Sequence, residues 1–188
     1  MFQTLPDNAE TKIYGANDPA GPELGAEYYS ESLRAFVMAV RYNYTDLADT
    51  TNHLAANRTV KKFAVLATDD AAAILAATGK TAPSSDEFVV TTYYAGARVV
   101  GGDGKHIGKG MMLGTPTIDL PVFYVQTSGF CEFTAGVANI IAGDYLVPDN
   151  TEDGDLEEGN GTPGDSYAQA VDTVGDGSTG TCKLRNLR

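Results

Sequence analysis

The chain has 188 residues, of which 43% are hydrophobic, and a formal net charge of −12. This length and apolar content allow a buried core and exclude a disordered composition. The acidity is concentrated, because residues 110–182 hold twelve Asp and Glu side chains and no Lys or Arg. Nucleic acids and anionic membrane surfaces are both bound through basic side chains. We therefore expect no direct nucleic-acid partner and no membrane partner.

The beginning of the chain has neither helical nor strand periodicity. Residues 1–27 contain three prolines and three glycines, and no basic or apolar segment typical of a secretory signal. No apolar run in the whole sequence approaches the roughly 20 residues that span a bilayer. We predict that residues 1–27 form an extended N-terminal arm, which either lies on its own domain or reaches onto a neighbouring subunit.

The next segment, residues 28–84, has the pattern of a small α+β region. Residues 36–44 alternate in a way that predicts a half-buried strand, although Tyr29, Leu33 and Phe36 are also spaced for a helix over residues 27–41. Residues 62–67 predict a short strand. Thr68 then resembles an N-cap, with Gly79 suited to the C-terminal end, so one short helix is expected near residues 69–78.

The remainder, residues 85–188, consists of short β-favouring segments separated by glycine-rich turns. The sequence predicts a hairpin over residues 98–107, strands on both sides of a turn at residues 127–129, and a closing hairpin turned at residues 175–180. Strands of this length and spacing predict a mainly β fold with little helix, and a small β-barrel or sandwich in the C-terminal half.

Two cysteines lie in alternating, strand-like segments. Cys131 is expected to share a face with Phe133, and Cys182 with Leu184, while Lys183 and Arg185 face the other way. The two cysteines could pair, but two in a chain of this size do not make a disulfide framework. We therefore interpret both as small buried hydrophobic residues.

Two segments were tested as binding sites. The glycine-rich residues 101–110 lack the first glycine of a phosphate-binding loop, where Asp103 stands, and have Gly110 in place of its hydroxyl residue. The acidic residues 149–160 fit a calcium loop at Asp149, Asp153 and Gly154, but Asn160 replaces the bidentate glutamate. We interpret the first as hairpin turns and the second as a solvated acidic loop, so no cofactor-binding or metal-binding residue is predicted.

Catalytic signatures are also missing from the sequence. His53 and His106 are its only imidazoles, neither belongs to a metal-binding motif such as H-E-x-x-H, and no G-x-S-x-G motif occurs. No catalytic residue is predicted, and we expect the protein not to be an enzyme.

One pattern goes beyond composition. The stretch that begins at Ala135, AGVANIIAGDYLVPDNTEDGDLEEGN, and the stretch SYAQAVDTVGDGSTGTCKLRNL resemble the capsid decoration, or cement, proteins of tailed bacteriophages. The matching positions are the turn, strand and hairpin residues Ile141, Gly143, Asp144, Val147, Asp153, Gly154, Tyr167, Ala168, Ala170, Gly177, Ser178, Gly180 and Leu184.

This resemblance covers roughly residues 85–188 and implies a structural role. A decoration protein of this kind sits on the outer surface of the capsid, bridges subunits of the major capsid protein, associates as a trimer or dimer, and stabilises the DNA-filled particle. The alternative is a receptor-binding or glycan-binding β module of a phage fibre or spike.

Overall fold

The protein is described by a computed structural model. It covers residues 3–6, 8–15, 18–23, 25–42, 60–61, 63–67, 99–100, 109–117, 119–120, 122–136, 139–149, 154–159 and 166–185. The predicted helix near 69–78, the segment 88–94, most of the hairpin over 98–107, and both histidines lie outside these residues.

Within the described residues the protein is built almost wholly from strands, which confirms the predicted mainly β fold. A single short 3-10 helix, η1, spans Ala9–Thr11. The strands are β1 (Gln3–Thr4), β2 (Glu27–Ser30), β3 (Ala35–Tyr42), β4 (Phe63–Ala67), β5 (Val99–Val100), β6 (Lys109–Met112), β7 (Val122–Gln126), β8 (Gly129–Thr134), β9 (Tyr145–Pro148), β10 (Leu156–Glu158), β11 (Ala168–Ala170) and β12 (Thr179–Leu184).

The first sheet has seven strands in the order β1-β2-β3-β5-β4-β6-β7, and it closes on itself because β7 also pairs with β3. Strand β3 is long enough to have two partners along one edge, β2 over its first half and β5 at its end, while β7 occupies the other edge. The pairings β3-β5-β4-β6-β7-β3 therefore form a ring of five strands, to which β2 and β1 are added outside.

The second sheet is antiparallel, with five strands in the order β10-β9-β11-β12-β8. Its two edge strands meet through a parallel bridge between Ala135, which follows β8, and Leu156 in β10. The Gly136 N–H donates a hydrogen bond to the Leu156 carbonyl at 2.9 Å. The second sheet thus also closes into a small barrel, as predicted for the C-terminal half of the chain.

Strands β3 and β7 are buried on both faces, which corrects the prediction of a half-buried strand. Met38 and Val40 pack inside the first ring with Phe123, whereas Val37 and Ala39 point to its outer face. All four β3 side chains are at most 2% exposed. The helix over residues 27–41 is wrong, because β2 and β3 form an antiparallel pair there.

The N-terminal arm covers that outer face, so of the two predicted placements the structure shows the one on its own domain. Strand β1 pairs in parallel with β2, and Leu5 and Ala9 are buried against Val37 and Ala39. Farther along, Tyr14 and Val122 exchange two backbone hydrogen bonds, of 2.8 and 3.0 Å. The arm therefore supplies the second buried face that β3 and β7 require.

The described part of the acidic segment, residues 149 and 154–159, includes a strand and buried side chains and so differs from a solvated loop. Leu156 is fully buried and begins β10, which pairs with β9. Asp149 and Asp155 are 1% and 6% exposed, and the Asp149 N–H donates to the Asp155 carbonyl at 2.9 Å. Residues 150–153 and 160, which complete the calcium-loop comparison, lie outside the described residues.

The two sheets meet where β7 passes into β8. The Thr127 N–H donates to the Phe36 carbonyl, and the Phe36 N–H donates to the Ser128 hydroxyl, each at 2.9 Å. From β6, Met111 packs into the core of the second barrel, while its neighbour Met112 packs into the first. Strand β6 pairs with β4 and strand β7 pairs with β3, so the first ring combines strands from both halves of the chain.

Candidate functional site

Residues 141–144, which precede β9, form a tight turn at one end of the second barrel. The Ile141 N–H donates to Asp144 Oδ2 at 2.7 Å, and the Asp144 N–H returns a bond of 3.0 Å to the Ile141 carbonyl. Gly143 has a φ of +101°, which L side chains rarely adopt. A carboxylate that accepts from the backbone two or three residues away is typical of a tight turn, and here the turn needs both Asp144 and Gly143.

This turn is bonded to the loop that follows β11. The Gly143 N–H donates to the Ala170 carbonyl at 2.9 Å, and the Ala142 N–H donates to the Thr173 hydroxyl at 3.0 Å. Two large apolar side chains project from these joined loops into solvent: Ile141 is 61% exposed and Val171 is 45% exposed. We call Ile141 and Val171 the apolar tip.

The surroundings of the apolar tip are acidic. Asp172 is exposed and accepts a hydrogen bond from the Thr181 N–H at 2.9 Å, and Asp176 is exposed in the next turn. The basic residues Lys183 and Arg185 lie toward the other end of β12, where Arg185 donates to Ser166 and stacks over the Tyr145 ring. The tip therefore combines exposed apolar side chains with a negative border.

Glycines of the closing hairpin have packing roles. Gly177 has a φ of +64° in the turn, and the N–H of this glycine donates to the Ala135 carbonyl. At Gly180 a Cβ atom would lie 2.8 Å from Val174 Cγ1 and 3.0 Å from Phe133 Cε1, too close for a side chain. The glycines of this hairpin thus allow the tight turn and the close contacts that shape the barrel.

A second surface feature is an apolar groove where the two sheets meet. It encloses about 400 Å³, and its walls include Leu33, Met111, Phe130 and Cys131. Phe130 is 59% exposed, and the Lys183 ammonium lies 5.8 Å from the centre of its ring. At the edge of the groove, Lys61 Nζ lies 3.3 Å from Glu132 Oε2, an exposed ion pair that contributes little to stability.

The two cysteines stand directly opposite each other on β8 and β12, with 3.5 Å between their sulfur atoms. Both are free thiols. Cys182 and Leu184 are buried while Lys183 and Arg185 are exposed, which confirms the predicted alternation of β12. Cys131 is only partly buried, and its contact with the Cys182 thiol together with burial raises the pKa of Cys131 well above the ordinary value.

The tyrosines beneath the N-terminal arm form a buried aromatic cluster. Tyr14 and Tyr28 both make edge-to-face contacts with Tyr124, at centroid distances of 6.3 and 5.8 Å. Burial, reinforced by Tyr14, raises the pKa of Tyr124. Nearby, the Ser32 hydroxyl donates to the buried Glu10 carboxylate and is also hydrogen-bonded to Ser30. These polar groups are partnered within the fold and join the arm to β2.

Of the glycine-rich residues 101–110 the structure describes 109–110, and of the acidic residues 149–160 it describes 149 and 154–159. Gly110 lies in β6, where a Cβ atom would come 2.6 Å from the Gln126 carbonyl oxygen, so this glycine is needed for strand packing. Among the residues that the structure describes, no three His, Cys, Asp or Glu side chains are grouped as metal ligands would be. The same residues include no helix long and apolar enough to cross a membrane.

The chain matches no protein-family model, no curated protein and no solved structure. The candidate site is therefore defined by the surface features described above, chiefly the apolar tip. Ile141 is a position of the sequence pattern, but its residue type alone predicts no role in contacts. Its exposure depends on the turn formed by Gly143 and Asp144 and on the adjoining loop, and neither the periodicity nor the composition signals it.

Proposed function

We propose that this protein is a structural capsid decoration protein, which binds the outside of a tailed-phage head and bridges subunits of the major capsid protein. The observation that carries the proposal is the apolar tip, in which Ile141 and Val171 are held in solvent by hydrogen-bonded turns. Large apolar side chains presented on a rigid support are suited to insertion into a depression on a partner protein.

The charge around the tip narrows the kind of partner surface. Asp144 lies in the turn that carries Ile141, Asp172 directly follows Val171, and the sequence has no Lys or Arg between Gly110 and Cys182. An acidic border disfavours nucleic acid and favours a protein surface with an apolar depression and basic groups around it. The net charge of −12 would also make particles that carry many copies of the protein repel one another.

The closed barrels also suit a protein that is present in many copies on one particle. Barrel closure leaves few free strand edges, so the molecule resists edge-to-edge aggregation even when many copies are crowded together. The arm is engaged with its own sheet, and the capsid contact is therefore assigned to the tip and not to a strap formed by residues 1–27. Self-association as a trimer or dimer is part of the proposal, since capsid sites are related by symmetry.

The proposal is tested first by mass spectrometry of purified virions of the phage that encodes the chain, in which we expect the protein in many copies. Its binding is then measured by co-sedimentation with DNA-filled heads that lack it. Replacement of both tip residues, Ile141→Asp with Val171→Asp, is expected to weaken binding about tenfold or more, because the charges enter an apolar contact.

Leu120→Asp is the matched control. Leu120 is also apolar and 40% exposed, but it lies in the connection between β6 and β7 of the first sheet, so its variant should bind like the unaltered protein. Virions without the chain would overturn the proposal. If the tip variant bound heads as well as the unaltered protein, the apolar tip would not be part of the contact. If the protein bound host cells or glycans and not heads, a receptor-binding module would be favoured.

A further inference from the structure

Cys131 and Cys182 are placed as a pair that can be joined covalently. They are registered partners on the antiparallel strands β8 and β12, and their sulfur atoms are 3.5 Å apart. Directly opposite residues in such a pair have Cβ atoms roughly 4.5–5.5 Å apart, close to the spacing of about 3.5–4.5 Å found in disulfides. Small side-chain and backbone adjustments would therefore bring the sulfur atoms to bonding distance.

Solvent access differs between the two sulfurs. Cys182 is fully buried in the core of the second barrel, with Phe133 and Leu184 among its neighbours. Cys131 is partly exposed and forms part of the wall of the apolar groove. A small reagent that enters the groove reaches Cys131 first, and Cys182 is accessible only to Cys131 itself.

We propose that Cys131 and Cys182 form a thiol–disulfide exchange site that closes an intramolecular disulfide when the protein meets a small organic disulfide. In the first step the deprotonated Cys131 sulfur attacks the reagent, which forms a mixed disulfide and releases one thiolate. In the second step the deprotonated Cys182 sulfur attacks the Cys131 sulfur and releases the second thiolate. The two cysteine protons end on the two released thiolates, so the protein is oxidised by two electrons and the reagent is reduced to two thiols.

The cross-link would reinforce the strand pair that completes the second barrel. Strand β12 lies between β11 and β8, so a bond from β8 to β12 ties the last described strand to the middle of the chain. A disulfide that encloses a loop of this length restricts the unfolded chain strongly. The oxidised protein should consequently unfold at a higher temperature than the reduced protein.

Because the contact with Cys182 and burial raise the pKa of Cys131, the exchange needs an alkaline buffer and should speed up as the pH rises. The test treats the full chain with bis(2-hydroxyethyl) disulfide at several alkaline pH values and follows intact mass, tryptic peptides and thermal unfolding. We expect a loss of two hydrogen atoms, a peptide that links Cys131 to Cys182, and a rise in the unfolding temperature of about 5 °C or more that a reducing agent reverses. The proposal would be overturned if the reagent stayed bound to Cys131 as a mixed disulfide. It would also be overturned if the folded protein did not react under conditions that oxidise the unfolded chain.

Two single variants test the order of attack. Cys182→Ala should trap the mixed disulfide on Cys131, and Cys131→Ala should stay unmodified, because the remaining sulfur is buried. The exchange is measured as the change in intact mass, so the result does not depend on which variant is more stable. Reaction of Cys131→Ala as fast as Cys182→Ala, with both folded by circular dichroism, would contradict the proposed entry through the groove.

Discussion

At the scale of single residues, Gly129 decides how the chain leaves the first sheet and enters the second. Its φ is +80°, and a Cβ atom at this position would lie 3.0 Å from Ala35 Cβ. A residue without a side chain is therefore favoured where the backbone turns between β7 and β8. Gly143 has a φ of +101° as well, but nothing lies within 4 Å of the position that its Cβ would take.

We expect Gly129→Ala to lower the free energy of unfolding by about 2 kcal/mol or more, through backbone strain and contact with Ala35. Gly143→Ala should cost about 1 kcal/mol, because it adds the strain alone. Gly175→Ala serves as the control with neither effect, since its nearest contact would be 3.6 Å. Urea denaturation measures all three, and equal losses at the two strained positions would show that the contact with Ala35 contributes nothing.

Strand β8 offers a second comparison between residues of the same type. Phe133 is fully buried in the second barrel, whereas Phe130 is 59% exposed on the wall of the groove. Phe133→Ala should destabilise the protein by about 3–5 kcal/mol, because it leaves a cavity in a small core. Phe130→Ala should cost less than about 1 kcal/mol. Chemical denaturation of both variants checks this, and similar losses would contradict the assignment of the two faces of β8.

At the scale of elements, the N-terminal arm gives the first ring its second layer. Leu5 and Ala9 are buried with Tyr28, Val37 and Tyr124, residues that would otherwise form an apolar outer surface. The arm has little regular structure of its own, and it is held by β1, by the Tyr14–Val122 backbone pair and by this apolar contact. Strand β3 can carry apolar side chains on both faces because the arm covers Val37 and Ala39 on the outer face.

Removal of residues 1–27 is therefore expected to lower the free energy of unfolding by about 3 kcal/mol or more, since it exposes the face around Val37 and Tyr124. It should also increase the binding of a hydrophobic dye. Lys12→Ala, which changes an exposed residue of the same arm, should leave both measurements unchanged. A truncated protein with the original unfolding midpoint would show that the arm does not contribute to the stability of the sheet.

At the scale of the whole molecule, adjacent methionines connect the two barrels. Met111 and Met112 are each 1% exposed, but successive residues of a strand point to opposite faces, so they enter different cores. Met111 packs with the core of the second barrel, although its own strand belongs to the first sheet. The stability of the second barrel is therefore linked to the first through this side chain.

Met111→Ala should cost about 2–5 kcal/mol and lower amide-exchange protection in both β6 and the second barrel, at β8 and β12. Met112→Ala, the matched change on the opposite face, should cost a similar amount while sparing β8 and β12. Hydrogen exchange followed by mass spectrometry separates the two patterns. Unchanged protection of β8 and β12 in Met111→Ala would show that the barrels unfold independently.

Much of this fold could be anticipated from local patterns. Alternation predicted β3, β8 and β12, and the turn at residues 127–129 predicted β7 before it. The glycine turn before β12 was also placed correctly, because side-chain alternation and turn geometry are local properties of the chain. Strand β10 was missed, since Leu156 is a single apolar residue among acids and its burial comes from pairing with β9. Strand β2 was not predicted: its residues were covered only by the alternative helix over residues 27–41, because Tyr29, Leu33 and Phe36 also fit a helical spacing.

What the sequence determined by itself is the mainly β character, the acidity of residues 110–182 and the faces of β12, with Cys182 inside and Lys183 outside. The tertiary structure decided which strands share a sheet, because hydrogen-bonded partners such as β3 and β7 are far apart in the chain. It also decided that the arm covers Val37, that Ile141 faces solvent, and that the Cys131 and Cys182 sulfurs lie 3.5 Å apart. Each of these depends on which distant segments meet, and local periodicity carries no information about that.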